Sequence, residues 1–226
     1  MCALITQCFH GKPVINTIYL DYDDVLVDFF VAALDKLGYG GISPSVIKCL
    51  EQRRVWSMPE MLDIDTARFW EELEASGEEF WESLPTLPWG RSLYAYLLEG
   101  IHAESKIPMK HRVTILSTPH PPIGCYVGKI RSIRKFLRES ESRDFILTTD
   151  KWRLARPDTL LIDDSEENCL KFREAGGHAI LFPHHTNSLY HLRDPQLGST
   201  QICMNIMDYI KLQMAGFAVP SMVAEG

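Results

Sequence analysis

Residues Ile18 to Asp28, IYLDYDDVLVD, decide the fold, because an apolar run suited to a buried strand empties there into a cluster of carboxylates. Asp21 and Asp23 stand two apart at the strand's end, where a pleated chain turns alternate side chains to one face. Carboxylates that close repel each other, and at neutral pH a shared proton or a divalent cation relieves the repulsion. A metal site is the first reading of the pair. Taken alone, Asp-x-Asp also occurs in solvated loops, so the weight falls on the rest of the chain.

Three further pieces come in order, each at the end of another apolar run. Val113 to Leu116 stops at Ser117-Thr118-Pro119, and Phe145 to Leu147 leads into Thr148-Thr149-Asp150-Lys151. Thr159 to Ile162 runs into Asp163-Asp164, after which Ser165 is suited to cap a helix that starts with Glu166-Glu167. In an open parallel α/β sheet the crevice lies beyond the carboxyl ends of the strands, so all four pieces can converge there. Singly each has a plain reading: a strand end for Ser117 and Thr118, a surface lysine for Lys151, a helix start for Asp163-Asp164. Their joint order argues for chemistry.

The periodicities predict an α/β fold, an open parallel sheet with helices on both faces and a small helical cap inserted after the first strand. Strands are expected at 14–21, 113–116, 145–149, 159–164 and 179–183. Core helices are expected at 91–104, 124–139 and 166–175, the last stopped by Gly176-Gly177. From 29 to 88 the pattern turns helical, with helices over 28–37, from Ser43-Pro44 through Arg54, and over 65–75. This divides the chain into a core of 1–28 and 89–226 and a cap of 29–88. Ile202, Ile206 and Ile210 predict a tail helix that packs on the core or on a second subunit, so a homodimer is possible.

An Asp-x-Asp, then a hydroxyl, then a lysine, then an Asp-Asp, each closing a strand, resembles the haloacid-dehalogenase-type (HAD) phosphohydrolases over residues 14 to 183. Within them the chain is similar to the 5'(3')-deoxyribonucleotidases. Glu51-Gln52-Arg53-Arg54, Phe80-Trp81-Glu82-Ser83-Leu84-Pro85-Thr86-Leu87-Pro88, Ile146 to Lys151 and Leu160 to Asp164 look like stretches of those enzymes in the same order. The resemblance implies a Rossmann-like HAD core and a magnesium-dependent phosphatase of nucleoside monophosphates that works through an aspartyl phosphate. Asp21 would be the nucleophile and Asp23 the acid and base on the leaving oxygen and the water. Mg²⁺ would be held by Asp21, the backbone carbonyl of Asp23, and Asp163, with Asp164 orienting that shell. Ser117 and Lys151 would bind the phosphoryl group. Phe29, Trp56, Met58, Phe80, Trp81 and Thr118 match positions that face the nucleoside, although ordinary packing is an equal reading for each aromatic.

The chain departs from that pattern in four places. Asp24 replaces the usual glycine after the second aspartate, Trp56 is bulkier than the usual phenylalanine, Ser57-Met58 replace an aromatic and a smaller aliphatic residue, and Ser165 stands where Arg or Lys is common. Base and sugar preference stay open. Two alternatives accompany the nucleotidase reading: a phosphatase of another small ester or a polynucleotide end, and a binding module that has lost turnover.

Bulk properties agree with a globular enzyme: 226 residues, 46% hydrophobic, 23% charged. The six cysteines form no CxxC pair, which suits reduced thiols and a cytoplasmic location, with no signal peptide expected. No run reaches the roughly 18 apolar residues of a membrane span. A net charge of −7 argues against an extended nucleic-acid surface. Arg131, Arg134, Lys135 and Arg138 read as a solvated basic helix face, and His184-His185 as loop residues without a third metal ligand.

Overall fold

The computed structural model describes residues 11–40, 46, 57–102, 113–137, 144–194 and 196–217. The apolar runs become five parallel strands: β1 (Thr17–Leu20), β2 (Val113–Ser117), β3 (Phe145–Leu147), β4 (Thr159–Asp163) and β5 (His178–Leu181), in spatial order β3-β2-β1-β4-β5. Near-continuous apolar sequence is what a strand covered on both faces requires. Alternation along β1 shows the two faces, with Ile18 and Leu20 in the large core and Tyr19 in a small cluster with Leu116, Leu161 and Phe172.

Strand order reverses at β1. Leu20 is paired in register with Ile115 on one side and Ile162 on the other, so the residues that follow β1, β2 and β4 emerge at one edge. The crevice of such a sheet opens at this reversal, between the carboxyl ends of β1 and β4. The expected strand at 14–21 is shorter, because the amides of Asn16 and Thr17 turn to the Asp158 carbonyl before the ladder begins.

Between β1 and β2 lie α1 (Phe29–Lys36), α2 (Met58–Leu62), α3 (Thr66–Glu74), α4 (Gly77–Glu82) and α5 (Gly90–His102). The helix expected over 43–54 lies outside the described residues apart from Val46. Asp65 caps α3 by accepting from the Arg68 amide. Gly77, at φ 66°, opens α4 after a tight turn that L side chains resist. Met61, Phe69, Leu73, Phe80 and Trp81 join the same hydrophobic cluster as β1, so these helices are packed onto the sheet layer.

Beyond β2 come α6 (Ile123–Phe136), α7 (Glu166–Glu174) and α8 (Ser199–Met214), with two 3-10 turns at Lys151–Leu154 and Tyr190–Arg193. Gly128 lets α4 approach α6, since a Cβ there would stand 2.4 Å from the Glu78 carbonyl oxygen. The basic face of α6 is not simply solvated: Arg131 pairs with Glu78 at 2.7 Å and Lys135 with Glu82 at 2.6 Å, tying α6 to α4. Arg138 lies outside the described residues. Ile206 and Ile210 on α8 are fully buried in the core. Among the described residues no helix is long and apolar enough to cross a membrane.

Candidate active site

Every motif that ends a strand delivers its side chain to the reversal point. Lys151, in the 3-10 turn after β3, is 3% exposed and bridges Asp21 Oδ1 at 2.6 Å and Asp163 Oδ2 at 2.7 Å. Burial opposes the Lys151 charge, but the two carboxylates outweigh it and raise its pKa. Asp163 is held from the other side as well. Its Oδ1 accepts from the Ser165 amide at 2.9 Å and from the Asn168 amide group at 3.1 Å.

Burial, and then the neighbouring Asp163 charge, push Asp21 up from the ordinary 3.8 to about 7, against the pull of Lys151. One carboxylate oxygen each from Asp21, Asp163 and Asp164 lies within 4.8 Å of the others. That all-oxygen trio can hold a divalent ion.

Asp23 is turned away from the trio. Its Oδ2 pairs with the ammonium of Lys129 and accepts from the Ser117 hydroxyl at 3.2 Å, and Lys129 also donates to Ser117 at 3.0 Å. Lys129 is 1% exposed and lies over the Trp81 ring at 5.3 Å, and Trp81 is placed by the close α4–α6 contact at Gly128. Asp23 and Lys129 line a cleft of about 330 Å³, with Ser117 buried behind them. Its walls include Phe29, Trp70, Trp81, Thr118, His120 and Thr149.

The cleft's rings form a nearly parallel ladder. Phe29 stacks on Trp81 at 5.5 Å and on Trp70 at 6.3 Å, and Trp70 stacks on His120 at 4.3 Å. Phe80 meets Phe29 and Trp81 edge-on, and Met58 is buried in the core; neither lines the cleft. Thr118 lines it while donating to the Thr148 carbonyl at 3.1 Å. Trp56 lies outside the described residues.

No protein-family model matches the chain, and no curated protein matches it. Among solved structures it is similar to a HAD family hydrolase from Deinococcus radiodurans R1 with bound phosphate and sodium, at 14% identity and a TM-score of 0.46, covering 91% of this chain and 96% of that one. It is also similar to a HAD hydrolase of family IA, variant 3, from Entamoeba histolytica HM-1:IMSS, at 11% identity and 0.43, covering 85% and 100%. A HAD family enzyme from Bacteroides thetaiotaomicron, in complex with magnesium and inorganic phosphate, is similar at 16% identity and 0.39, covering 79% and 98%. These are distant likenesses.

Sequence reasoning missed Lys129, Asn168, Trp70 and the surroundings of His184. Asn168 stands one helical turn into α7, where a polar side chain reads as a surface residue. Lys129 carried a faint signal: a lysine beside Gly128, on the packed face of α6 with Cys125, Ser132 and Ile133. Asp24 has φ 59°, the left-handed backbone for which glycine is suited, and Asp tolerates it because its short carboxylate bonds locally. Here Oδ1 accepts from the Phe30 amide at 2.7 Å, so the side chain faces the start of α1 and not the cleft.

Proposed function

We infer that the protein is a HAD-type phosphohydrolase acting on nucleoside monophosphates, with deoxyribonucleotides as the preferred class. One observation carries the reading: Asp21, Asp23, Ser117, Lys151 and Asp163, drawn from the ends of four strands, meet at the reversal of strand order, beside a cleft walled by stacked aromatic rings. Residues 29–88 supply three of the four stacked rings, Phe29, Trp70 and Trp81, which supports a cap role for them. The Asp24 carboxylate is committed to the Phe30 amide and to the side of His184 and does not line the cleft, which supports turnover over a binding-only role.

The donor set fits a hard cation. Asp21, Asp163 and Asp164 offer oxygen only, and burial, then the neighbouring carboxylates, disfavour the charged forms of Asp21 and Asp164, a cost that a bound cation would relieve. Mg²⁺ held by these residues would neutralise charge on the phosphoryl oxygens.

The protein's own groups then divide the work. An Asp21 oxygen attacks phosphorus as the bond from phosphorus to the sugar oxygen breaks, giving an aspartyl phosphate. Asp23, freed from Lys129, takes the proton carried in by the monoanionic phosphate ester and passes it to the departing oxygen, and later takes one from the water that attacks phosphorus and releases Asp21. In the resting site Lys129 and Ser117 occupy Asp23. A phosphate drawn to both donors frees that carboxyl for the ester oxygen. Lys151 holds Asp21 and Asp163 in place and balances their charge, which is preorganisation rather than proton transfer.

The test is a screen of nucleoside mono- and deoxymonophosphates, sugar phosphates and a 5'-phosphorylated oligonucleotide, with EDTA or Mg²⁺. Release of phosphate from deoxymononucleotides, silenced by EDTA and restored by Mg²⁺, is expected. Preference for sugar phosphates would overturn the substrate class, and no turnover of any ester would overturn the enzyme reading.

A further inference from the structure

We propose that Asp24, Asp164 and His184 form a second divalent-cation site, of transition-metal character, that adjoins the Asp21–Asp163–Asp164 trio and shares Asp164 with it. The proposal does not depend on the phosphatase reading. His184 follows β5 in a loop braced by Asn187, whose side chain accepts from the His184 amide at 3.2 Å and donates to the Asp164 carbonyl at 2.8 Å. That brace sets the imidazole against Asp164 before any ion arrives.

One ligand atom each from Asp24, Asp164 and His184 lies within 4.8 Å of the others. An acidic pair alone would signify little. The independent sign is the imidazole, which is 2% exposed with Nε2 lacking any hydrogen-bond partner and standing 3.7 Å from Asp24 Oδ2. A buried ring nitrogen left unpaired is costly, and this one faces the Asp24 carboxylate. The other nitrogen, Nδ1, stands 2.8 Å from the Thr186 hydroxyl, 3.4 Å from the Thr186 amide and 3.6 Å from Asp164 Oδ2, so the ring lies between the two carboxylates. In the tautomer whose Nδ1–H donates to the Thr186 hydroxyl, Nε2 presents its lone pair, the usual arrangement around a metal-bound histidine.

The spacing suits a shared ion. With metal–ligand bonds of about 2.0 to 2.2 Å, two ligand atoms on one ion stand roughly 3 to 4 Å apart, as the 3.7 Å between Nε2 and Asp24 does. Among the described residues no Lys or Arg lies within ion-pair distance of the Asp24 or Asp164 carboxylates; Arg193 donates instead to the Asp24 backbone carbonyl at 3.2 Å. The Asp164 side chain is 19% exposed and gives an entry path. Imidazole with two carboxylates favours Zn²⁺, Co²⁺ or Mn²⁺, whereas the neighbouring all-oxygen trio favours Mg²⁺.

The test titrates the full chain, free of a histidine tag and stripped of metal, with Co²⁺ by visible absorption and with Zn²⁺ by calorimetry. Wild type and Asp21→Asn should both bind an ion with imidazole ligation. His184→Gln should abolish this binding, as should Asp24→Asn, which keeps an acceptor for the Phe30 amide. Thr186→Val should weaken Zn²⁺ binding by about 10- to 100-fold. X-ray absorption at the zinc edge of the wild-type protein should show one imidazole and serves even if the variants misfold. Absence of imidazole from that spectrum, or unchanged Co²⁺ binding in folded His184→Gln, would overturn the site.

Discussion

Lys151 touches Asp21 and Asp163 at once, and removing either carboxylate therefore changes charge balance as well as chemistry. Asp21→Asn should reduce turnover by several orders of magnitude with the fold retained, since the amide is nearly isosteric but cannot attack phosphorus. The same variant should change how stability depends on pH. Because the folded-state pKa of Asp21 is raised from 3.8 to about 7, the folded protein binds a proton there that the unfolded chain does not. That contribution is complete below the unfolded value and is lost as pH rises through about 7. In EDTA, the melting temperature of Asp21→Asn relative to wild type should be higher at pH 8 than at pH 5; His184 and His185, which Asp21 does not perturb, cancel in the paired comparison, and relief of Asp164 acts in the same direction. A difference independent of pH would remove the buried charge from the account. Lys129→Met should raise the inhibition constant of inorganic phosphate by about tenfold or more, the size of a lost charge-assisted hydrogen bond. An unchanged constant would leave Lys129 as a structural partner of Asp23. Asp21, Lys151 and Asp163 are legible in the sequence because each closes a β-rich run. Lys129 is not, because its partner Asp23 lies 106 positions away and helical spacing along α6 places it on the packed face without naming that partner. His184 is opaque for the same reason, since Asp24 and Asp164 join it only after the sheet forms.

At the scale of elements, the strands and long helices could be read from apolar periodicity, whereas α2 and α4, of five and six residues, are too short to show a helical repeat. Their placement depends on contacts instead. Gly128 is the clearest case: a Cβ there would lie 2.4 Å from the Glu78 carbonyl oxygen and 2.6 Å from Trp81 Cβ, neither of which can yield without moving α4. Gly128→Ala should therefore cost about 1 to 3 kcal/mol in urea unfolding. It should also impair nucleotide turnover, because Trp81 and the Lys129 ammonium over its ring shift together. A variant as stable and as active as wild type would mean that α4 is free to slide. The ion pairs of Arg131 and Lys135 with α4 are exposed and add little to this contact, which rests mainly on packing.

For the whole molecule, a net charge of −7 would oppose the approach of the phosphate dianion of the proposed substrate, whose capture would then depend on short-range groups in the cleft and not on a steering field. On the proposed reading, Lys129 would take the phosphate end of a ligand there, and the ladder of Trp81, Phe29, Trp70 and His120 would be left for the other. This division makes substrate size the discriminating variable. Trp70 is the most informative position, being half-buried at the cleft wall and stacked on Phe29 and His120 but away from Asp21, Asp23 and Lys151. Contacts distant from phosphorus orient a nucleotide for attack, whereas a minimal ester such as p-nitrophenyl phosphate gains little from them. A base stacked on an aromatic wall is worth about 1 to 3 kcal/mol, so Trp70→Leu should lower kcat/KM for nucleoside monophosphates by about five- to a hundred-fold. Turnover of p-nitrophenyl phosphate by the same preparation should stay within about twofold of wild type, since the phosphate end of the cleft is untouched. Equal losses on both substrates would make Trp70 a packing residue of α3. No loss on either would remove the aromatic ladder from nucleoside recognition and return the substrate to the wider class of small phosphate esters.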